Sequence, residues 1–129
     1  MTVRALVIDD SRAMRRIVTG TLEGFGYETR QAGHGQEALY VLHEGYLPDL
    51  CTIDWNMPVM DGLQFVSVVR ANPAWRALTL VMVTSESEQG QIVRALAAGA
   101  HEYLIKPFTA DALRDKLALL GMLPQGVAL

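Results

Sequence analysis

Short apolar runs alternate with helical patterns from one end of this chain to the other, and few architectures accept that order. "ALVI" (5–8), "ETRQA" (28–32), "DLCTI" (49–53), "LTLVMVT" (78–84) and "EYLI" (102–105) read as five strands. Met14, Ile17, Val18, Leu22 and Phe25 recur at spacings of three and four, which predicts a helix from Arg12 to Phe25 between a Ser11 cap and Gly26. "QEALYVLHEG" predicts a second helix closed by Gly45. Leu63, Val66 and Val69 predict a third, which stops before Asn72-Pro73 because a residue preceding proline is pushed out of the α region. Residues 87–98 predict a fourth, ended by Gly99, whose apolar face of Ile92, Ala95 and Leu96 is thin. A fifth follows "KPF", capped by Thr109 with Leu113, Leu117 and Leu120 on its stripe, and a short tail begins at about residue 121. Five strand–helix units joined by right-handed crossovers predict an α/β fold: a doubly wound, five-stranded parallel sheet with helices on both faces. The polar "ETRQA" belongs at an edge. All strand C-termini then share one rim, where sheets of this kind bind their ligands.

The totals restrict what can sit on that rim. A chain of 129 residues, half of them hydrophobic, suits one domain over 1–129 with a single core. A net charge of -3, with no basic block beyond Arg15-Arg16, offers nothing to a nucleic-acid backbone. No apolar stretch approaches the roughly 20 residues that span a bilayer, and "MTVRALVIDD" meets acids too early for a signal peptide. A soluble, cytoplasmic protein is expected. Cys51, the single cysteine, reads as a buried small hydrophobe, and His34, His43 and His101 lack ligand spacing. "AGHG" has neither the spacing nor the Lys-Ser/Thr of a phosphate-binding loop.

The strand ends carry the chemistry. Strand one ends in Asp9-Asp10, strand three in Asp54, strand four in Thr84-Ser85 and strand five in Lys106-Pro107. Each acid alone is an ordinary loop or helix-cap residue. Together, three carboxylates on one rim repel one another unless a cation neutralises them, and Mg2+ fits best, since it takes oxygen ligands, keeps several waters and favours one or two carboxylates plus a phosphate. Asp54 can then act as nucleophile toward phosphorus, with Asp9 and Asp10 holding the metal, Lys106 as a point cation for a phosphoryl oxygen and Thr84 as a hydroxyl beside it.

"VIDDSRAMRR", "IDWNMPVMDG", "VMVTSE" and "YLIKPFTADAL" together make the chain resemble a response-regulator receiver domain of the single-domain, CheY-like chemotaxis type, over nearly its whole length. The resemblance implies the flavodoxin-like strand order 2-1-3-4-5. It implies Asp54 as phosphoacceptor, Asp9, Asp10 and Asp54 as metal carboxylates with the Asn56 backbone carbonyl as a further ligand, Thr84 and Lys106 as phosphoryl contacts, and a cis peptide before Pro107. It implies Asn56 and Glu86 as positions that tune phosphate loss. A sensor histidine kinase or phosphotransfer protein would be the donor. Thr84 and Tyr103 would form a switch altering the face of helix four, strand five and helix five, which meets an output protein and can support a phosphorylation-dependent dimer of an otherwise monomeric chain. Arg12 lies near enough in sequence to matter, although a solvated first-turn arginine is its plainer reading. Trp55 reads as a partly exposed loop aromatic. Glu88-Gln89 stands where the chemotaxis type has a lysine pair. The chain is thus expected to be a signalling switch in chemotaxis; a phosphate sink, a phosphorelay intermediate or a cell-cycle or development adaptor is the alternative. A haloacid-dehalogenase-type phosphatase needs Asp-x-Asp on its first strand, whereas here the first-strand pair is adjacent and the isolated Asp54 is on the third.

Overall fold

A computed structural model describes residues 2–85 and 89–124. Its elements run β1 (Val3–Ile8), α1 (Arg12–Gly24), β2 (Tyr27–Ala32), α2 (Gly35–His43), β3 (Leu50–Asp54), α3 (Gly62–Ala71), a short 3-10 turn (Pro73–Trp75), β4 (Thr79–Thr84), α4 (Gln89–Ala98), β5 (Glu102–Ile105) and α5 (Ala110–Leu119). The five strands form one parallel sheet in the order β2-β1-β3-β4-β5, as expected, with the polar β2 at an edge.

Alternation along the strands builds two cores. Leu6, Ile8, Cys51, Ile53, Leu80 and Met82 point to one face, where α2, α3 and α4 cover them through Leu39, Leu42, Phe65, Val66, Val69 and Ala95. Ala5, Val7, Leu50, Val81, Val83 and Leu104 point to the other, beneath Val18 and Leu22 of α1 and Leu113 and Leu117 of α5. Each such side chain, taken fully from water, contributes about 1.5–3 kcal/mol. Every residue of the central β3 is buried, because both faces of that strand are covered.

Caps set the helix starts. Ser11 accepts from Met14 N–H, Thr109 from Ala112 N–H, and Asp61 forms a reciprocal box with Gln64. His34, unremarkable by spacing, caps α2 by accepting from Glu37 N–H through Nδ1 at 3.2 Å.

Two expectations need correction. Trp55 is buried, at 8% exposure, because its N–H still bonds to the Val83 carbonyl, so strand alternation runs on past β3 and sets the indole on the face of Cys51 and Ile53, with Arg94 of α4 over its ring. Leu96, assigned to the buried face of α4, is 41% exposed, and Ala95 and Ala98 make the inward contact. The tail also packs: Met122 and Leu123 join the α1–α5 core, and Tyr27 donates to the Met122 carbonyl. No helix among the described residues is long and apolar enough to cross a membrane.

Candidate functional site

Strand register assembles the rim. Ile8 pairs with Ile53, so the next residues, Asp9 and Asp54, stand side by side at the ends of β1 and β3. Asp54 pairs with Val83 and Thr84 with Ile105, which sets Thr84 and Lys106 one step further along the same edge. Backbone bonds extend the order past the strands: Asp9 N–H donates to the Ala32 carbonyl at 3.1 Å, Trp55 N–H to Val83 at 2.9 Å and Lys106 N–H to Thr84 at 2.8 Å. The Lys106–Pro107 peptide is cis.

The side chains converge. Asp9, Asp54 and Thr84 are buried, whereas Asp10 is exposed. One carboxylate oxygen from each of Asp9, Asp10 and Asp54 lies within 4.8 Å of the others. Lys106 Nζ is 2.9 Å from Asp9 Oδ2 and 3.3 Å from Asp54 Oδ1. Ser11 N–H donates to the other Asp9 oxygen at 2.8 Å, which orients that carboxylate. Asn56 sits two residues beyond Asp54 with an exposed side chain. Tyr103 lies half-buried on β5, away from the carboxylates, against the α2–α3–α4 core. Glu86 and Glu88 fall outside the described residues.

Electrostatics follow from this crowding. Burial, and after it the Asp9 charge, push Asp54 up from 3.8 to about 6 against the pull of Lys106. Burial acts to lower Lys106, but its hydrogen bond to Asp9 and the charge of Asp54 outweigh that, so its pKa is raised. One ammonium therefore faces two of the three clustered carboxylates, and protonation or a further cation relieves the surplus negative charge. The donors are all hard oxygens, too few to enclose an ion and open on the Asp10 side. That set fits Mg2+, which binds through one or two carboxylates and keeps its remaining waters.

The supporting residues are those that motif reading passed over. Arg12 is exposed, while Arg15, one turn later, places its guanidinium 2.6 Å from the Asp9 carbonyl and donates to Gln31 at 3.1 Å. Helical geometry carries this signal, since the residue that turns back over the strand end is a full turn into the helix. Gly62 N–H donates to the Trp55 carbonyl at 2.9 Å, and a Cβ at Gly62 would lie 2.5 Å from the Asp54 carbonyl oxygen. Between them, Met60 N–H bonds to the Pro58 carbonyl at 2.7 Å, closing a three-residue turn around Val59 at φ 70. Beside Lys106, Met14, Ile17, Pro107 and Phe108 line an open apolar depression of about 410 Å³.

Comparison with known proteins gives the same picture. A family model, the response regulator receiver domain, matches residues 5–118. The chain is 40% identical over 119 residues to the chemotaxis protein CheY1 of Helicobacter pylori, covering 92% of this chain and 96% of that protein. The chemotaxis protein CheY4 of Vibrio cholerae superposes with a TM-score of 0.86 at 34% identity, over 92% of this chain and 98% of that one. The receiver domain of a Pseudomonas aeruginosa sensor histidine kinase, described with a magnesium ion coordinated in its active-site cleft, superposes with a TM-score of 0.82 at 25% identity over 92% of this chain and 97% of its own.

Proposed function

The chain belongs to the response-regulator receiver family, and from that premise we propose that it is a two-component signalling switch that accepts a phosphoryl group on Asp54 from a histidine kinase or phosphotransfer protein. The observation that carries this reading is the buried Asp54 carboxylate held 3.3 Å from Lys106 beside the paired Asp9. Asp9, Asp10 and Asp54, with the Asn56 carbonyl, would hold Mg2+, which when bound supplies charge neutralisation for the transferring phosphoryl oxygens.

This chain's own residues do the rest. An Asp54 carboxylate oxygen attacks phosphorus as the bond to the donor nitrogen breaks, and the donor imidazole leaves with its electron pair. Ser11 N–H and the Lys106 ammonium keep Asp9 aligned beforehand. As charge builds on the phosphoryl oxygens, Lys106 transfers its contact from Asp54 to one of them, and the Thr84 hydroxyl takes another. Drawing Thr84 inward couples the rim to β4 and to the half-buried Tyr103 of the neighbouring β5. The apolar depression beside Lys106, with Ile17 at 58% exposure on its wall, suits the docking of a donor helix. Asn56 and Glu86 would tune the later hydrolysis. The chain acts on itself and not on a separate metabolite.

The chemotaxis names of its relatives favour chemotaxis as the pathway, with action in the cytoplasm and output through the face of α4, β5 and α5. The test is the intact mass after incubation with acetyl phosphate, with and without Mg2+. A Mg2+-dependent phosphoryl adduct on the native chain, missing from Asp54→Ala, is the expected result; an adduct of equal yield on Asp54→Ala refutes the assignment.

A further inference from the structure

Away from the rim, one cluster ties β5 to α5 around Tyr103. Glu102 opens β5, and its Oε1 accepts from the Tyr103 N–H at 3.0 Å and from Lys116 Nζ at 3.1 Å. The same ammonium stands 4.5 Å from the centroid of the Tyr103 ring. Both charged side chains are mostly out of water, at 25% and 21% exposure, so their pairing is screened less than a surface pair. Lys116 lies in the last turn of α5, where the helix dipole favours positive charge. The contacts close on themselves: the backbone of Tyr103 fixes the carboxylate, the carboxylate fixes the ammonium, and the ammonium covers the ring. Tyr103 also packs against the core that α4 covers. Moving the ring away from α5 therefore breaks the ring–ammonium contact while Glu102 stays anchored.

We propose that Glu102 and Lys116 are positioning residues that clamp Tyr103 against α5 and so set how much of the chain adopts the phosphoryl-loaded form. The inference rests on the reading of Tyr103 as the part that moves when Asp54 is loaded. Coupling between two sites is reciprocal, so a clamp that opposes loading weakens the binding of a phosphoryl mimic by the same factor. A cation–π contact of this kind carries a factor of about two to five.

The experiment is calorimetric titration of the native chain, Lys116→Met and Glu102→Gln with beryllofluoride in saturating Mg2+. The two substitutions change net charge in opposite senses, but both open the clamp. Tightening by about two- to five-fold in both is the expected result. Opposite shifts would mean a plain charge effect and overturn the clamp, as would two variants indistinguishable from native. In a Tyr103→Ala background, Lys116→Met should add nothing; the full effect persisting there also overturns the proposal. Failure of the receiver reading shows separately, as a native chain that binds no beryllofluoride, and the clamp's role then falls with it.

Discussion

Asp54 is held in a place that costs the fold stability once its carboxylate is charged. An acid whose pKa is higher folded than unfolded contributes stability that is complete below its unfolded pKa and is lost as pH rises through the folded one. For Asp54 that loss extends from 3.8 to about 6. In metal-free buffer at pH 7.5, Asp54→Asn should therefore stabilise the protein by about 2 kcal/mol, and the gain should largely vanish at pH 4. Urea unfolding at the two pH values reads this directly; a destabilised Asn variant at pH 7.5 would mean that Lys106 already compensates the carboxylate. The meeting of these side chains was legible in the chain because strand ends of a parallel sheet must meet, so gathering Asp9, Asp10, Asp54, Thr84 and Lys106 needed no more than five strand assignments. Arg15 was not legible, because the motif draws the eye to the residue beside the acids whereas the guanidinium that arrives comes from a turn further on.

At the scale of elements, the β3–α3 connection is the strained part. Val59 is β-branched, 79% exposed and at φ 70, a left-handed conformation that such residues avoid. Val59→Asn should raise stability by about 0.5–1 kcal/mol with no loss of buried area, measured by thermal unfolding. Gly62→Ala should do the reverse and lower it by about 3 kcal/mol, since its Cβ would lie 2.5 Å from the Asp54 carbonyl oxygen, and the phosphorylation rate should fall with it as the backbone shifts. No sequence rule places a valine at positive φ, and the strain shows only once Pro58, Met60 and Gly62 are seen closing the turn. Trp55 was misjudged for a different reason: one residue past a strand reads as loop, although its N–H still bonds to Val83 and alternation carries its side chain to the buried face of Cys51 and Ile53. α4 gave its periodicity but not its orientation, since a thin apolar face leaves two rotations of the helix almost equally favourable.

At the scale of the whole molecule, the rim and the opposite end of the sheet are secured by different means. Mg2+ held at the rim as proposed, and by the folded chain alone, would add stability by mass action, about 2.7 kcal/mol at a hundred times its dissociation constant. The melting temperature should rise accordingly with Mg2+, and Asp9→Asn should remove most of the rise. The other end depends on the tail: Tyr27 is buried against Met122, and burial, then the Asp49 charge, push its phenol up to about 12. Tyr27→Phe should cost about 1 kcal/mol in urea unfolding by releasing that carbonyl. Nothing in "GMLPQGVAL" announced such packing, because a few apolar residues without a period specify no partner. Deep between these two ends lies Cys51, wholly inaccessible in the central strand, its thiol pushed up to about 12 by burial. A thiol so placed is silent toward alkylating reagents until the α2–α3–α4 layer comes away from the sheet, which makes its labelling rate a built-in clock for that opening and leaves the surface free for a dye on any cysteine introduced there.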